Sequence, residues 1–355
     1  MENIFQDTTL VDVRDDAITR AQRLVKDQDL RWLTIDIGWS VAVGFPPGRL
    51  YETFAPSLAH LVVDPTVDDA DVPDLTIVVA DSAHLGQHPV IRSDTEGFPR
   101  TAAYVVDDLD AVNLEPHASI SALNWERRFG VWWLDEIGGL SSWQVSAPLR
   151  QLFAWWAPRT GQVLAHAAVV GDGTRGVMIT AAGGAGKSTT TMQCGLDGLQ
   201  VLSDDYCVIQ PGDSTTARAA TRCCKLSDDS LNLLGTHFGK LDNSHQLSSD
   251  EKNLIYLPLD GPNPAATCLE LAAVVVPRIG TDEKATLGPA LGSAALSSLA
   301  MSSIFQFNAD PAPVLKACRE IIEGLPTFEL ILGSDLSSST ERISELLAGR
   351  IGHQT

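Results

Sequence analysis

Lysine is scarce in this chain: Lys26 is the only one before Lys187, and none follows until Lys225. The 25 Lys and Arg residues face 45 Asp and Glu, a formal charge of −20. Such a surface repels nucleic-acid phosphates and excludes broad contact with DNA or RNA. It serves solubility first and is compatible with a neutral or basic peptide partner. Cysteine is missing from the first half. Cys194, Cys207, Cys223, Cys224, Cys268 and Cys318 form no C-x-x-C pair and no zinc spacing, so they read as reduced core residues of a reducing compartment. There is no run of 18 apolar residues, and Met1-Glu2-Asn3-Ile4-Phe5-Gln6-Asp7 lacks the basic and apolar regions of a signal peptide. The expectation is a cytoplasmic protein with no membrane segment.

What the chain does have is a glycine-rich loop between an apolar strand and a helix. Val177-Met178-Ile179-Thr180 is a short β-type run, Ala181-Ala182-Gly183-Gly184-Ala185-Gly186-Lys187-Ser188 follows, and the next residues open a helix ending near Gly195 or Gly198. Gly183, Gly184 and Gly186 permit backbone angles and a close approach that a Cβ would block, so successive N–H groups can cup anionic oxygens. Lys187 adds a point charge, and the positive end of the helix dipole lies under the same phosphates. Ser188 is placed to offer its hydroxyl to a magnesium ion. The usual pattern G-x-x-x-x-G-K-[ST] has Ala181 at its first position here, so the turn must be made without that glycine's freedom.

A second element follows about seventeen residues after Lys187. In Leu199 to Ile209, two apolar runs flank Asp204-Asp205, which suggests a strand delivering carboxylates to the loop edge. One carboxylate can hold magnesium while its neighbour accepts a proton from an attacking hydroxyl, and spacing does not say which does which. Upstream, His166 lies in the apolar strand Val163 to Val170, which turns at Gly171-Asp172-Gly173 and runs back as Gly176 to Thr180. A histidine in such a strand reads from the residues alone as a hydrogen-bonded core group. Gly171, Gly173 and Gly176 satisfy G-x-G-x-x-G but precede a strand, so they read as a turn rather than a dinucleotide site.

The chain changes character near residue 145. All eight tryptophans, Trp32 to Trp156, precede the glycine loop, and every cysteine follows it. Two domains are expected, residues 1–145 and 146–355. The first alternates β-type runs (32–45, 75–80, 101–106, 119–125, 129–134) with Asp- and Pro-rich turns, including a solvated loop at 64–74, and serves acceptor binding, assembly or structural support. Helices are expected over Ser146–Trp156, Ala312–Glu323 and Ser338–Ala348, the last with a capping box from Ser338 to Glu341. Lys225, Arg222 and Arg278 are the cations outside the loop that could face a transferring phosphoryl group.

The order His166, strand, glycine loop, helix, then Leu202-Ser203-Asp204-Asp205-Tyr206 resembles the catalytic domain of HPr kinase/phosphorylase. It resembles more closely the shorter HPr-kinase-like proteins, some of which tailor ribosomal peptides, including lasso peptides. The resemblance spans about Trp155 to Leu347. It implies an α/β fold with a P-loop kinase domain of the HPr kinase type, preceded by a mostly β, α+β domain. It implies ATP and Mg2+, with Gly183, Gly184, Ala185, Gly186, Lys187, Ser188 and Thr189 on the nucleotide and Ser188 with Asp205 on the metal. Asp204 would be the base, with His166 and Lys187 beside the phosphates and the roles of Asp204 and Asp205 open to exchange. The implied acceptor is a serine of a peptide or small protein, and a homo-oligomer is expected. A small-molecule kinase and a nucleotide switch that transfers nothing remain alternatives. Thr189 stands where HPr kinase has an acidic residue, and its glycine- and arginine-rich segment is absent, which argues against phosphorylase activity and against HPr as acceptor.

Overall fold

The computed structural model describes residues 10–64, 72–88, 103–106, 110–115, 119–138, 140–235, 252–261, 264–307 and 309–350. Most of the loop expected at 64–74 and residues 101–102 lie outside them. The fold is α/β, built on two large sheets. The first, seven-stranded, runs in the order Arg31–Asp36, Ser40–Phe45, Leu75–Asp81, Phe129–Leu134, Ser119–Asn124, Asp110–Glu115, Ala103–Val106. The expected run 32–45 is a hairpin that turns at Gly38, whose φ of 98° suits glycine. Strand alternation sorts the side chains by face. Val78, Ala80, Val131 and Trp133 join Val13, Ala17, Ile18, Ala21 and Leu24 of the helix Leu10–Asp27, while Ile77, Val79, Trp132 and Leu134 face the larger core.

The second sheet, nine-stranded, surrounds the glycine loop. Its long strand Cys268–Ile279 pairs in parallel with Arg175–Ile179 and with Thr327–Leu332, and antiparallel with Thr216–Ala219. One antiparallel ribbon then closes it: Val163–Ala165 pairs with Cys207–Gln210, and Ala168–Gly171 pairs with Gln200–Ser203. The expected strand Val163–Val170 is therefore broken at His166-Ala167, opposite the break at Asp204-Asp205-Tyr206. Ser203 Oγ, which donates to the carbonyls of Tyr206 (2.8 Å) and Ala167 (3.3 Å), spans the interruption that the backbone ladder leaves.

The two halves share one apolar core that contains Ile35, Phe54, Trp132, Phe153, Cys207, Val274 and Ile321. Arg222 fastens them. Its Nε donates to Pro56 O (2.6 Å) and its backbone N to Ser57 O (3.0 Å), satisfying the last carbonyls of the helix Arg49–Leu58.

Two helix expectations also need correction, and one helix was not expected. The helix expected over Ser146–Trp156 is two, Ser142–Ser146 and Arg150–Trp156, because Ala147-Pro148 interrupts the ladder and Leu149 adopts φ 65°. The helix near the end runs Ser337–Leu347 without the capping box: Ser338 lies inside it, and its Oγ accepts from the Ala285 N–H at 2.8 Å. The stretch Gly292–Gln306, unassigned from sequence, is a helix. The helix Pro311–Gly324 forms as expected, capped by Asp310.

Candidate active site

The strand Arg175–Ile179 runs beside Cys268–Ile279 and ends at the glycine loop, the C-terminal edge where parallel strands collect ligands. Thr180 still donates to Val275 O, and the helix Lys187–Leu196 begins at Gly186. Left-handed backbone falls on Gly184 (φ 82°) and Gly186 (φ 94°), and Ala181 and Ala182 have none. The alanine at the first loop position therefore carries no conformational strain. A Cβ on Gly186 would lie 2.5 Å from Leu332 Cδ1, whereas one on Gly183 or Gly184 would meet nothing within 4 Å. The rim of the loop is open where phosphate oxygens would sit.

The breaks in the closing ribbon bring His166, Asp204 and Asp205 to this loop. Lys187 Nζ donates to the Asp204 carbonyl and stands 3.8 Å from Asp205 Oδ1. Both Asp205 oxygens have a charged or hydrogen-bonding neighbour: Oδ1 accepts from His166 Nε2 at 2.7 Å, and Oδ2, which lacks a hydrogen bond of good geometry, is held in an ion pair by Lys225 Nζ at 2.7 Å. Burial alone would push its carboxyl up, but Lys225, the His166 hydrogen bond and Lys187 together hold it well below the usual carboxylate range. Burial also lowers the His166 imidazole, against the pull of Asp205. A neutral ring next to an ionised carboxylate carries its proton on Nε2, which leaves Nδ1 as a buried acceptor without a partner. The His166 ring also packs against Tyr206, centroids 5.4 Å apart.

Asp204 differs from its neighbour. It is 3% exposed, and Oδ2 accepts the Lys225 backbone N–H at 3.2 Å, but Oδ1 is buried with no hydrogen-bond partner. An unpaired carboxylate oxygen at such depth costs free energy unless something else donates to it. Spacing left the two carboxylates interchangeable, and the geometry separates them.

Of the three cations expected near the phosphates, Lys225 is in the site, Arg222 is a structural clamp, and Arg278 is a surface residue paired with Glu329 at 3.7 Å. Thr189 Oγ1 donates to Ser230 Oγ at 3.0 Å, which ties the first helical turn to the helix Asp228–Leu234. Sequence reading missed the wall formed by the helix Gly292–Gln306: Ser298 meets Thr180, Ser303 Oγ accepts the His166 N–H, Ser302 Oγ donates to His166 O, and Gln306 accepts from Tyr206. It also missed Arg150, whose guanidinium lies 3.9 Å from the Trp143 ring centre and 5.9 Å from that of Tyr206. Those side chains follow no loop motif; the one available signal was the serine recurrence at 298, 302 and 303. Among the described residues no three His, Cys, Asp or Glu side chains are grouped to hold a metal ion, and no helix is long and apolar enough to cross a membrane.

No family model matches this chain, and no curated protein matches it in sequence. Among solved structures it resembles the Hpr(Ser) kinase/phosphatase from Coxiella burnetii, at 11% identity and a TM-score of 0.28, over 53% of this chain and 99% of that one. A likeness of that size carries no argument about the reaction, which rests on the residues above.

Proposed function

We propose that this protein is a phosphotransferase that moves the γ-phosphoryl group of ATP to a hydroxyl. The observation that carries the reading is the buried, unpaired Asp204 Oδ1 beside a lysine-bearing glycine loop. The loop N–H groups of Gly183, Gly184 and Gly186, the helix N-terminus and Lys187 are suited to bind and orient a polyphosphate, and they carry positive character where the transition state accumulates negative charge. Magnesium bound with the phosphates would neutralise further charge, and by its place in the loop motif Ser188 would be its protein ligand; with Asp205 Oδ1 hydrogen-bonded to His166 and Oδ2 in an ion pair with Lys225, we read that residue as an anchor rather than a direct metal ligand. In the transfer step the hydroxyl oxygen forms a bond to the γ-phosphorus, the bond to the departing ADP oxygen breaks, and the hydroxyl proton passes to Asp204 Oδ1.

The acceptor we propose is a serine of a peptide or small protein, as in the peptide-tailoring relatives of the family that the motif order resembles. Cytoplasmic location and self-assembly belong to the same proposal. Intact-mass measurement after incubation with Mg-ATP and candidate peptides tests it, with Lys187→Ala as the control. A gain of one phosphate that is lost in the variant supports the reading. Tight nucleotide binding with no transfer to any candidate would favour a nucleotide switch instead.

A further inference from the structure

We infer that Lys225 is a positioning residue: by neutralising Asp205 it leaves Lys187 available to phosphate and keeps His166 uncharged. The Lys187 half rests on the nucleotide reading above, and the His166 half stands without it.

Lys225 arrives from outside the sheet that carries the loop. Its strand, Cys223–Ser227, pairs with Lys252–Tyr256 in a two-stranded ribbon. From there it touches both carboxylates, through its backbone N–H to Asp204 Oδ2 and through Nζ to Asp205 Oδ2. The backbone contact survives any side-chain change, so the ammonium must have a separate role. With 14% of its side chain exposed and Tyr206 alongside, it is placed for a fixed partner rather than for capturing ligands from solvent.

Consider the site without that ammonium. Asp205 Oδ2 would lose its partner in a poorly solvated setting, where charges attract far more strongly than in water. The nearest remaining cation is Lys187, already 3.8 Å from Oδ1, and it would be drawn onto the carboxylate and away from the loop mouth. With one of two cations lost beside the ring, the site would also favour a proton on His166. The charged groups facing that ring are Asp205, Lys187 and Lys225, and the Tyr206 phenol beside it is kept neutral by burial. Removing one of the two lysines shifts the balance toward imidazolium.

The test compares wild type, Lys225→Met, Asp205→Asn and the double variant by titration with a fluorescent Mg-ATP analogue. Lys225→Met is expected to weaken binding about tenfold, a coupling typical of one close charge pair. The double variant is expected to return to the affinity of Asp205→Asn, because without the carboxylate there is nothing to neutralise. Lys225→Arg, which keeps the charge, is expected to stay near wild type and serves if the methionine variant is unstable. A merely structural lysine would give a double variant as impaired as Lys225→Met, which overturns the inference, as does unchanged binding in Lys225→Met. The second readout needs no nucleotide: the His166 ring protons, followed by NMR against pH, should titrate higher in Lys225→Met than in wild type. An unmoved His166 titration overturns the inference even if wild type binds no nucleotide, an outcome that would sink the kinase reading separately.

Discussion

His60 gives the sharpest test of the packing that joins the two halves. It sits in the short turn Ala59–Leu61 after the helix Arg49–Leu58, and both ring nitrogens are buried without a hydrogen-bond partner. Burial, with Arg222 nearby, lowers its pKa from 6.5 to about 3. The folded state therefore refuses a proton that the unfolded chain accepts below pH 6.5. Its contribution to stability is intact above that pH and is lost as pH falls toward 3. Each unit is worth about 1.4 kcal/mol, so the loss is about 2 kcal/mol at pH 5 and about 5 kcal/mol once both states are protonated. For a chain of 355 residues, with an unfolding entropy of about 2.1 cal/mol/K per residue, about 2 kcal/mol lowers the melting temperature by roughly 3 °C. His60→Phe keeps a planar ring and removes the titration. Calorimetry at pH 7 and pH 5 should show the wild type losing roughly 3 °C more than the variant. Parallel losses in the two proteins would refute the assignment of a buried, unpaired His60.

The glycine loop and the thiols give further predictions. Gly186→Ala forces an L-residue to φ 94° and pushes against Leu332 Cδ1, whereas Gly184→Ala strains only the backbone at φ 82°. Each should lose about 1–2 kcal/mol of stability from the left-handed conformation, and Gly186→Ala should lose more and also bind nucleotide more weakly; equal melting temperatures for the two would contradict the packing at Leu332. Burial pushes the thiols of Cys194, Cys207, Cys223 and Cys318 up to about 12 and holds that of Cys224 well above the usual thiol range, while Cys268 is exposed. A disulfide reagent applied to the native protein should therefore modify one thiol quickly and five slowly, with Cys268→Ser abolishing the fast phase.

The loop, its helix and the flanking strand were readable because each rests on short-range chemistry: glycine where φ is positive, a lysine at the helix start, a β-type run before it. The five β-type runs of the first half were readable for the same reason, through alternation and turn residues. Other features depended on distant partners. The break at His166-Ala167 is visible only once Val163–Ala165 and Ala168–Gly171 are seen to pair with different strands, which no local pattern encodes. The Ser338 capping box failed because the hydroxyl is taken by Ala285, 53 residues earlier. The helix Gly292–Gln306 escaped because its Ser- and Ala-rich sequence has almost no apolar stripe. Adjacent aspartates look alike in sequence; His166 and Lys225 separate them.

The most direct test of the account sets Asp204→Asn against Asp205→Asn in single-turnover transfer from Mg-ATP to a peptide that the wild type phosphorylates, with nucleotide affinity measured on the same samples. If Asp204 Oδ1 takes the proton, Asp204→Asn should bind nucleotide like wild type and transfer about 10²–10⁴-fold more slowly, the usual loss of a general base. Full transfer rate in Asp204→Asn would contradict the assignment and leave the buried, unpaired oxygen without a catalytic role.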